Sequence, residues 1–341
     1  MKKEKMLAAV FEGEGRLTVK QVPIPEIRKE ADVILKIKAV SICGSDVRIL
    51  SVPPKHPANV NTILGHEFVS EVVDLGKEVS HIKKGDTVVV APNISCGFCR
   101  YCRKGMPDMC ENFTTLGVYI NGGFAEYCRA LSKAVYKISD EVPPEEAVFV
   151  EPLSCIVNAT NKLKIQPGET VVVLGAGPIG LLFTQLTKVA GAGKIIVSEI
   201  SEFRKKFAYE SGADLVVNPE RENLPRLVKK ETEIGADVVI DAVGTLLGDS
   251  LKMVRKSGRV LLFGINENFS GQIRQFEITH NNITVIGSFI DRFSFSSAID
   301  LVESGILNLQ KLITHRFPLK EIDKGIDLMK KGEGVKIVIS P

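Results

Sequence analysis

No run of the roughly eighteen apolar residues needed to cross a bilayer occurs in this 341-residue chain, which excludes a membrane-spanning helix. No block of like charge stands out either. Forty-four Lys and Arg against 41 Asp and Glu leave a formal charge of only +3, which gives no electrostatic footprint for nucleic acid. The start, Met1-Lys2-Lys3-Glu4-Lys5, is basic, but no apolar stretch follows to make a secretion signal. Internal repeats and low-complexity segments are missing too. The chain therefore reads as a cytoplasmic globular protein with no membrane or nucleic-acid partner and with reduced thiols. It is too long for one ordinary core, so two domains are expected.

Seven cysteines are present, an odd number, and four of them (Cys96, Cys99, Cys102, Cys110) fall within fifteen residues. That is poor arithmetic for disulfides and good arithmetic for a metal. The spacing C-x₂-C-x₂-C-x₇-C supplies four thiolates from one loop, which suits a closed tetrahedral zinc site with a structural role. An iron–sulfur cluster or a disulfide pair is the alternative. Cys128 lies in a strand pattern and reads as a small core residue.

Alternating apolar and polar residues mark strands in the first 150 residues: Leu7–Phe11, Leu17–Lys20, Val33–Val40, Glu67–Leu75, Thr87–Val90 and Phe124–Leu131. The pattern changes after Glu151. Continuous apolar runs occur at Thr170–Leu174, Lys194–Glu199, Asp214–Val217, Asp237–Asp241, Arg259–Phe263 and Ile283–Ser288; amphipathic stretches such as Pro178–Ala190 and Glu202–Ser211 separate the first five, and the connection before the last is less regular. Buried strands alternating with helices predict a doubly wound parallel sheet of six strands. Phe293–Ser304 and Leu319–Lys331 then read as helices and Val335–Ser340 as a last strand. The expected division is a β-rich domain at 1–154, a dinucleotide-binding domain at 155–290, and a tail, 291–341, packing back on the first.

Gly175-Ala176-Gly177-Pro178-Ile179-Gly180 fits G-x-G-x-x-G between a strand and a helix, the context that gives this pattern meaning. The glycines permit a tight turn, close approach of a pyrophosphate and close helix–strand packing, while the helix N-terminus attracts the phosphates. Pro178 suits the first helical turn. Glu199, nineteen residues after Gly180, ends the second strand, where a carboxylate accepts from ribose hydroxyls and repels a 2′-phosphate. NAD is therefore expected over NADP, with Arg204 and Lys205, which follow, weighing against that preference. Arg204 either stacks on the adenine or pairs with Glu199.

Cys43, His66 and Glu151 remain. A thiolate, an imidazole and a carboxylate with one open position make a catalytic zinc site. Glu67, beside His66, either ligates directly or orients the ligands, and Asp46 could likewise orient His66. Singly, Cys43 reads more readily as a core thiol and His66 as a satisfied core histidine than as ligands. Cys155, one helical turn after Glu151, reads as a buried thiol that could exchange with it.

The order Cys43-Gly44-Ser45-Asp46, Gly65-His66-Glu67, four-cysteine loop, Glu151-Pro152-Leu153-Ser154 and glycine-rich turn resembles the zinc-dependent medium-chain dehydrogenase/reductase family. Gly85-Asp86-Thr87-Val88, Gly123–Tyr127 and Thr314–Leu319 extend the resemblance over nearly the whole chain. Glu151-Pro152-Leu153-Ser154 is similar to the sorbitol (iditol) and threonine dehydrogenase-like branch. The resemblance implies an α/β protein: a GroES-like β-rich catalytic domain and a Rossmann domain, with the active site in a cleft between them. It implies two Zn²⁺ per chain and hydride transfer between a secondary hydroxyl and NAD, giving a ketone. Ser45 would take the proton. Gly264, Ile265, Ser288 and Phe289 join the glycine-rich turn as expected cofactor contacts. A homodimer or homotetramer is expected.

Two departures limit the substrate. The position five after the zinc cysteine, often histidine in the family, is Arg48, which cannot act as a base at neutral pH. It could contact a cofactor phosphate or an acidic substrate instead. The Arg-Tyr pair with which sorbitol dehydrogenases hold their polyol is replaced by Ile290-Asp291, with Arg292-Phe293 just beyond. Sorbitol itself is therefore not the expected substrate. A polyol, sugar acid or related sugar derivative is, with L-threonine 3-dehydrogenase or 2,3-butanediol dehydrogenase activity as the near alternatives. A noncatalytic zinc- and NAD-binding redox sensor is the alternative of another class.

Overall fold

A computed structural model describes residues 4–341 of the chain. Met1, Lys2 and Lys3, part of the basic start noted above, lie outside them. The chain divides into two compact units. The first comprises Met1–Ser154, Arg292–Gly305 and Ile313–Pro341, and the second Cys155–Asp291 and Ile306–Leu312.

The first unit is built on antiparallel strands. Lys5–Gly13 pairs with Arg16–Pro23 on one side and with Thr62–Ile63 on the other. A larger sheet runs in the order Val135–Lys137, Thr87–Val90, Glu67–Leu75, Asp32–Ser41, Lys336–Ser340, Ile313–Pro318, with Tyr127–Leu131 also paired to Asp32–Ser41. The strand expected from Phe124 begins at Tyr127, because Gly122 and Gly123 bend the backbone close to Gly65 and Phe68. Leu35, Phe68, Leu64, Leu116 and Phe124 fill the core between the sheets. The register sets Ser41 opposite Glu67 on one side and opposite Val338 on the other. Strand side chains alternate between faces, so this register also decides which side chains meet near Glu67.

The second unit is the doubly wound sheet. Its six strands, Thr170–Leu174, Lys194–Ser198, Leu215–Val217, Ala236–Asp241, Val254–Leu262 and Thr284–Gly287, are all parallel and lie in the spatial order 3-2-1-4-5-6. Val171, Val172, Val173, Ile195, Ile196, Val197, Val238, Val239 and Ile240 are fully buried, as strands covered on both faces require. The fifth strand starts at Val254, five residues earlier than the apolar run, because pairing continues through an irregularity in register at Ala236/Val238. Ile306–Leu312 falls with this unit and not, as expected, with the tail. Asn308 N donates to Gln185 Oε1 (2.8 Å), Gln185 Nε2 donates to Asn308 O (3.2 Å), and Leu307, Leu309 and Leu312 are buried.

Candidate functional site

Two groups of metal-type donors form among the described residues, both in the first unit: Cys96 with Cys99, Cys102 and Cys110, and Cys43 with His66 and Glu67. In each, the donor atoms lie within 4.8 Å of one another.

The four-cysteine group is made locally. Cys99 is the N-cap of the short helix Arg100–Arg103. Backbone N–H groups are aimed at the sulfurs: Cys99 N at Cys96 Sγ (3.4 Å), Cys96 N at Cys110 Sγ (3.3 Å) and Asn112 N at Cys110 Sγ (3.3 Å). Cys99 Sγ lies 3.5 Å from Cys102 Sγ and 4.0 Å from Cys110 Sγ. All four are free thiols. A zinc–sulfur bond of about 2.3 Å gives a tetrahedron with edges of about 3.8 Å, which those separations bracket. The arrangement fits a closed zinc site and lacks the bonded pairs of a disulfide reading.

The second group is assembled from distant parts of the chain. Cys43 is the N-cap of the helix Gly44–Ile49, and Asp46 Oδ2 accepts from Cys43 N (2.9 Å), so the cap fixes the thiol. Capping thus falls to Cys43 and leaves Ser45 free of that duty. Ser45 Oγ stands 3.6 Å from Cys43 Sγ. Gly65 precedes His66 with φ +87°, and a Cβ there would come within 2.7 Å of the Phe124 ring, so only glycine delivers His66 in this way. His66 Nδ1 and Asp46 Oδ1 face each other at 3.8 Å. Both are buried and have no hydrogen-bond partner among the described residues. A carboxylate beside a histidine is the outer support that metal-ligating imidazoles use.

Electrostatics favour a cation here. Burial pushes the Cys43 thiol up, with the Glu67 charge adding to it, and pushes Asp46 to about 6. Burial opposes charge on His66, but Cys43, Asp46 and Glu151 outweigh it and hold its proton well above the ordinary range. For Glu67, burial is likewise outweighed, by Lys336 first and then His66, so its carboxyl is held low. A buried set of a thiol, an imidazole and carboxylates fits Zn²⁺ by chemistry as well as by geometry.

Glu151 does not enter that tight group. It occupies the first turn of the helix Val150–Leu163, is half-buried, and acts on His66 through its charge. Two partners of Glu67 escaped the sequence reading. Lys336 Nζ donates to Glu67 Oε2 at 2.6 Å, and Ser41 Oγ donates to the same oxygen. Lys336 is 1% exposed and stands 5.1 Å above the Phe149 ring. A lysine opening an apolar strand reads as an exposed end, and no short-range pattern marks it otherwise. Arg48 Nη2 donates to Lys55 O (3.1 Å), which ties it to the following loop. Cys155 is buried. A separate cavity of about 1020 Å³ in this unit, lined by Met6, Val22, Ile63, Leu116, Tyr127 and Arg129 among others, contains none of these donors.

In the second unit the expected cofactor residues gather at the carboxyl ends of the strands. Gly175 has φ +96°, Gly177 is the N-cap of the helix Pro178–Val189, and Pro178 holds its first position with Ile179 next. A Cβ on Gly180 would lie 1.8 Å from Gly175 O, so the turn admits glycine alone. Glu199 is buried, and its Oε2 accepts from Ala176 N (2.7 Å) and its Oε1 from Ser201 N (2.8 Å). Arg204 lies beside Gly177, and the charge of Glu199 acts on it. Gly264 and Ile265 follow the fifth strand, and Ser288 and Phe289 the sixth. Asp241, at the end of the fourth strand, escaped the sequence reading. Its carboxylate accepts from Val243 N (2.9 Å), Gly244 N (2.8 Å) and Leu246 N (2.8 Å), which shapes the loop at the switch point of the sheet.

Residues 29–140 match the alcohol dehydrogenase GroES-like domain, and residues 178–304 match the zinc-binding dehydrogenase domain. An L-threonine 3-dehydrogenase of Caldanaerobacter subterraneus subsp. tengcongensis is 37% identical over 350 residues, covering 97% of each chain. The chain belongs to the zinc-dependent medium-chain dehydrogenase/reductase family. A sorbitol dehydrogenase of Bombyx mori is 33% identical to this dehydrogenase over 341 residues, again 97% of each. Among solved structures, a zinc-binding dehydrogenase of Sinorhizobium meliloti 1021 bound to NADP superposes with a TM-score of 0.94 at 32% identity, covering 99% of this chain and 100% of that one.

Proposed function

We propose that this dehydrogenase oxidises a secondary hydroxyl of a polyol, sugar acid or related sugar derivative to a ketone, with NAD as acceptor. The observation that carries the reading is the Cys43–His66–Glu67 donor group, backed by the otherwise unpartnered Asp46 Oδ1 and His66 Nδ1. When bound, Zn²⁺ supplies Lewis-acid polarisation of the hydroxyl and the nicotinamide supplies the hydride acceptor. Cys43 and His66 would hold the metal, with Glu67 or Glu151 as the carboxylate. Ser45 Oγ, beside Cys43, receives the proton that leaves the hydroxyl. Arg48 does not carry that proton onward, since its guanidinium offers donors and no acceptor and is engaged with Lys55 O. Water takes it. The four-cysteine loop would hold a second, structural zinc.

Gly175, Gly177, Pro178, Ile179 and Gly180 would receive the pyrophosphate at the helix N-terminus. Glu199 would accept from the adenosine ribose, since each of its oxygens keeps a second lone pair beyond the backbone bond it accepts. Gly264, Ile265, Ser288 and Phe289 would border the nicotinamide half. A cytoplasmic homodimer or homotetramer suits the exposed edge strand Thr284–Gly287, which leaves Val285 uncovered. No described helix is long and apolar enough to cross a membrane.

The test is a panel of polyols, hexonates, L-threonine and 2,3-butanediol, followed by NADH absorbance, beside metal analysis. Two zincs per chain and turnover of a sugar-type alcohol are expected. A single zinc that disappears in Cys96→Ser sinks the catalytic site. Turnover of L-threonine alone establishes the second reading, which the 37% identity to an L-threonine 3-dehydrogenase favours. Absence of turnover with zinc and NAD both bound establishes a sensor.

A further inference from the structure

The second unit holds one buried acidic side chain that the proposed reaction does not use. Asp241 closes the strand Ala236–Asp241, beside the strand Thr170–Leu174 that leads into Gly175. These are the fourth and first strands of the order 3-2-1-4-5-6. The strand order reverses between them, which is where doubly wound sheets take their ligands. A carboxylate facing outward there would repel a pyrophosphate. Asp241 faces inward instead. It is 1% exposed, its Oδ1 accepts from Val243 N (2.9 Å) and Gly244 N (2.8 Å), and its Oδ2 accepts from Leu246 N (2.8 Å). Three backbone N–H groups enclose the oxygens, so the carboxylate shapes a loop and is turned away from the ligand's side.

The same residue joins the neighbouring turns. Its main-chain carbonyl accepts from Phe263 N (3.0 Å) and Gly264 N (2.9 Å), and Ala242 N, next along the chain, donates to Leu174 O (3.2 Å). Gly244 has φ +92°, and a Cβ on it would lie 2.6 Å from Gly264 O. A Cβ on Gly264 would lie 2.3 Å from Gly244 N. The two loops therefore touch backbone to backbone, an approach that glycine alone allows. Between these anchors Val243 is carried to the glycine-rich turn, where its Cγ2 would lie 3.0 Å from a Cβ on Gly175. Val243 is 46% exposed, so it is an apolar side chain set beside the turn and not a core residue. Without the Asp241 carboxylate the N–H groups of Val243, Gly244 and Leu246 would each need another acceptor, and this loop shape would lose its support.

We propose that Asp241 is a positioning residue for the nucleotide: its carboxylate holds Val243 and Gly244 against the glycine-rich turn, so that the pyrophosphate meets a wall already in place. This rests on the nucleotide reading above and deepens it. Every group involved belongs to the second unit. Asp241 acts through the loop and makes no contact with the cofactor. A loop set in advance spares the cofactor the cost of ordering it on binding.

The experiment measures NADH affinity, by the fluorescence of the reduced nicotinamide, for the full-length zinc-loaded chain and for D241N, D241A and G244A. Hydrogen exchange across the second unit and the kinetics with NAD are read alongside. In D241N the amide oxygen can keep Val243 N and Gly244 N, but the amide nitrogen then meets Leu246 N donor to donor. NADH dissociation constants should rise about threefold to fivefold in D241N and about tenfold in D241A, which loses all three bonds. G244A keeps Asp241 but forces its loop away from Gly264. It should weaken binding as D241A does, and it carries the test if D241A fails to fold. Exchange should quicken at residues 242–246 and stay as in wild type along the parallel strands. KM for NAD should rise with little change in kcat. Affinities within twofold of wild type in D241N and G244A would overturn the proposal. Tighter binding by D241N would do the same, since the carboxylate would then be acting on the phosphates by its charge. Faster exchange throughout the parallel strands would make Asp241 a purely structural residue and overturn it as well. No NADH binding by the wild-type chain would overturn the nucleotide reading and this proposal with it.

Discussion

The two donor groups of the first unit are built in opposite ways. The four cysteines come from one loop of fifteen residues, in which backbone N–H groups point at the sulfurs and no position is left open. Cys43, His66 and Glu67 come from a helix cap, a glycine-bent turn and a strand start, and they are backed by Asp46 of the capped helix and by Ser41 and Lys336 from the two ends of neighbouring strands. A local site can be made by a short stretch on its own account. The assembled site exists only when the whole sheet is in register, so its geometry is a property of the fold. That difference separates a metal that holds a loop from a metal left with room for substrate.

The sharpest way to break the comparison is to remove one corner of the assembled site. Cys43→Ala should lower turnover by more than about a thousandfold, the several kcal/mol of barrier that a Lewis acid supplies, while one zinc remains in the loop. Metal analysis that finds both zincs gone would mean the two groups are not independent. Next comes the support. Lys336→Met leaves the Glu67 carboxylate buried without its cation, and unfolding experiments should show a loss of about 3–5 kcal/mol. Adding Glu67→Gln should return most of it, and a double variant as unstable as the single one would deny the pairing. Chelator dialysis sharpens the contrast further: the open group should release its zinc before the closed loop does, with activity lost ahead of any fall in the melting midpoint. Simultaneous loss would contradict it.

The smallest effect serves as a control outside both groups. Lys137 Nζ donates to Asp86 Oδ1 at 2.9 Å and holds that carboxyl below its ordinary value of 3.8. A depressed folded pKa contributes stability above the unfolded value and loses it as the pH falls through the lower, folded one. Asp86→Asn should therefore melt earlier than wild type at pH 7, and the gap should shrink as the pH falls below 3.8 toward the lower, folded value. A gap that stays constant with pH would show that the charge is not the cause.

What could be read from the chain follows the same division. The six parallel strands and the glycine-rich turn are local patterns, and they appear within a few residues of their expected places, although the sixth strand, expected to be buried, is an exposed edge. The four-cysteine loop is local too. His66 and Cys43 were legible only because their neighbours, Gly65 and Asp46, carry pattern of their own. Lys336, Ser41 and Asp108 were not legible, since each matters through a partner between 26 and 269 residues away, and nothing short-range marks it. Arg292 was noticed only as lying beyond the missing Arg-Tyr pair, and nothing local showed that its guanidinium is committed to Asp108. Ile306–Leu312 was misassigned because a loop's allegiance depends on what it packs against, here Gln185.

The burial of Lys336 bears on how the molecule comes to be made. The strand Lys336–Ser340 follows every other element of the chain, yet it lies inside the sheet between Asp32–Ser41 and Ile313–Pro318. During synthesis the six-stranded parallel sheet, complete by residue 287, can close while the first unit still has a gap at its centre and Glu67 lacks Lys336. The part of the enzyme translated first is thus the part finished last, and the sheet of the second unit is whole before the Cys43–His66–Glu67 group has its supporting lysine.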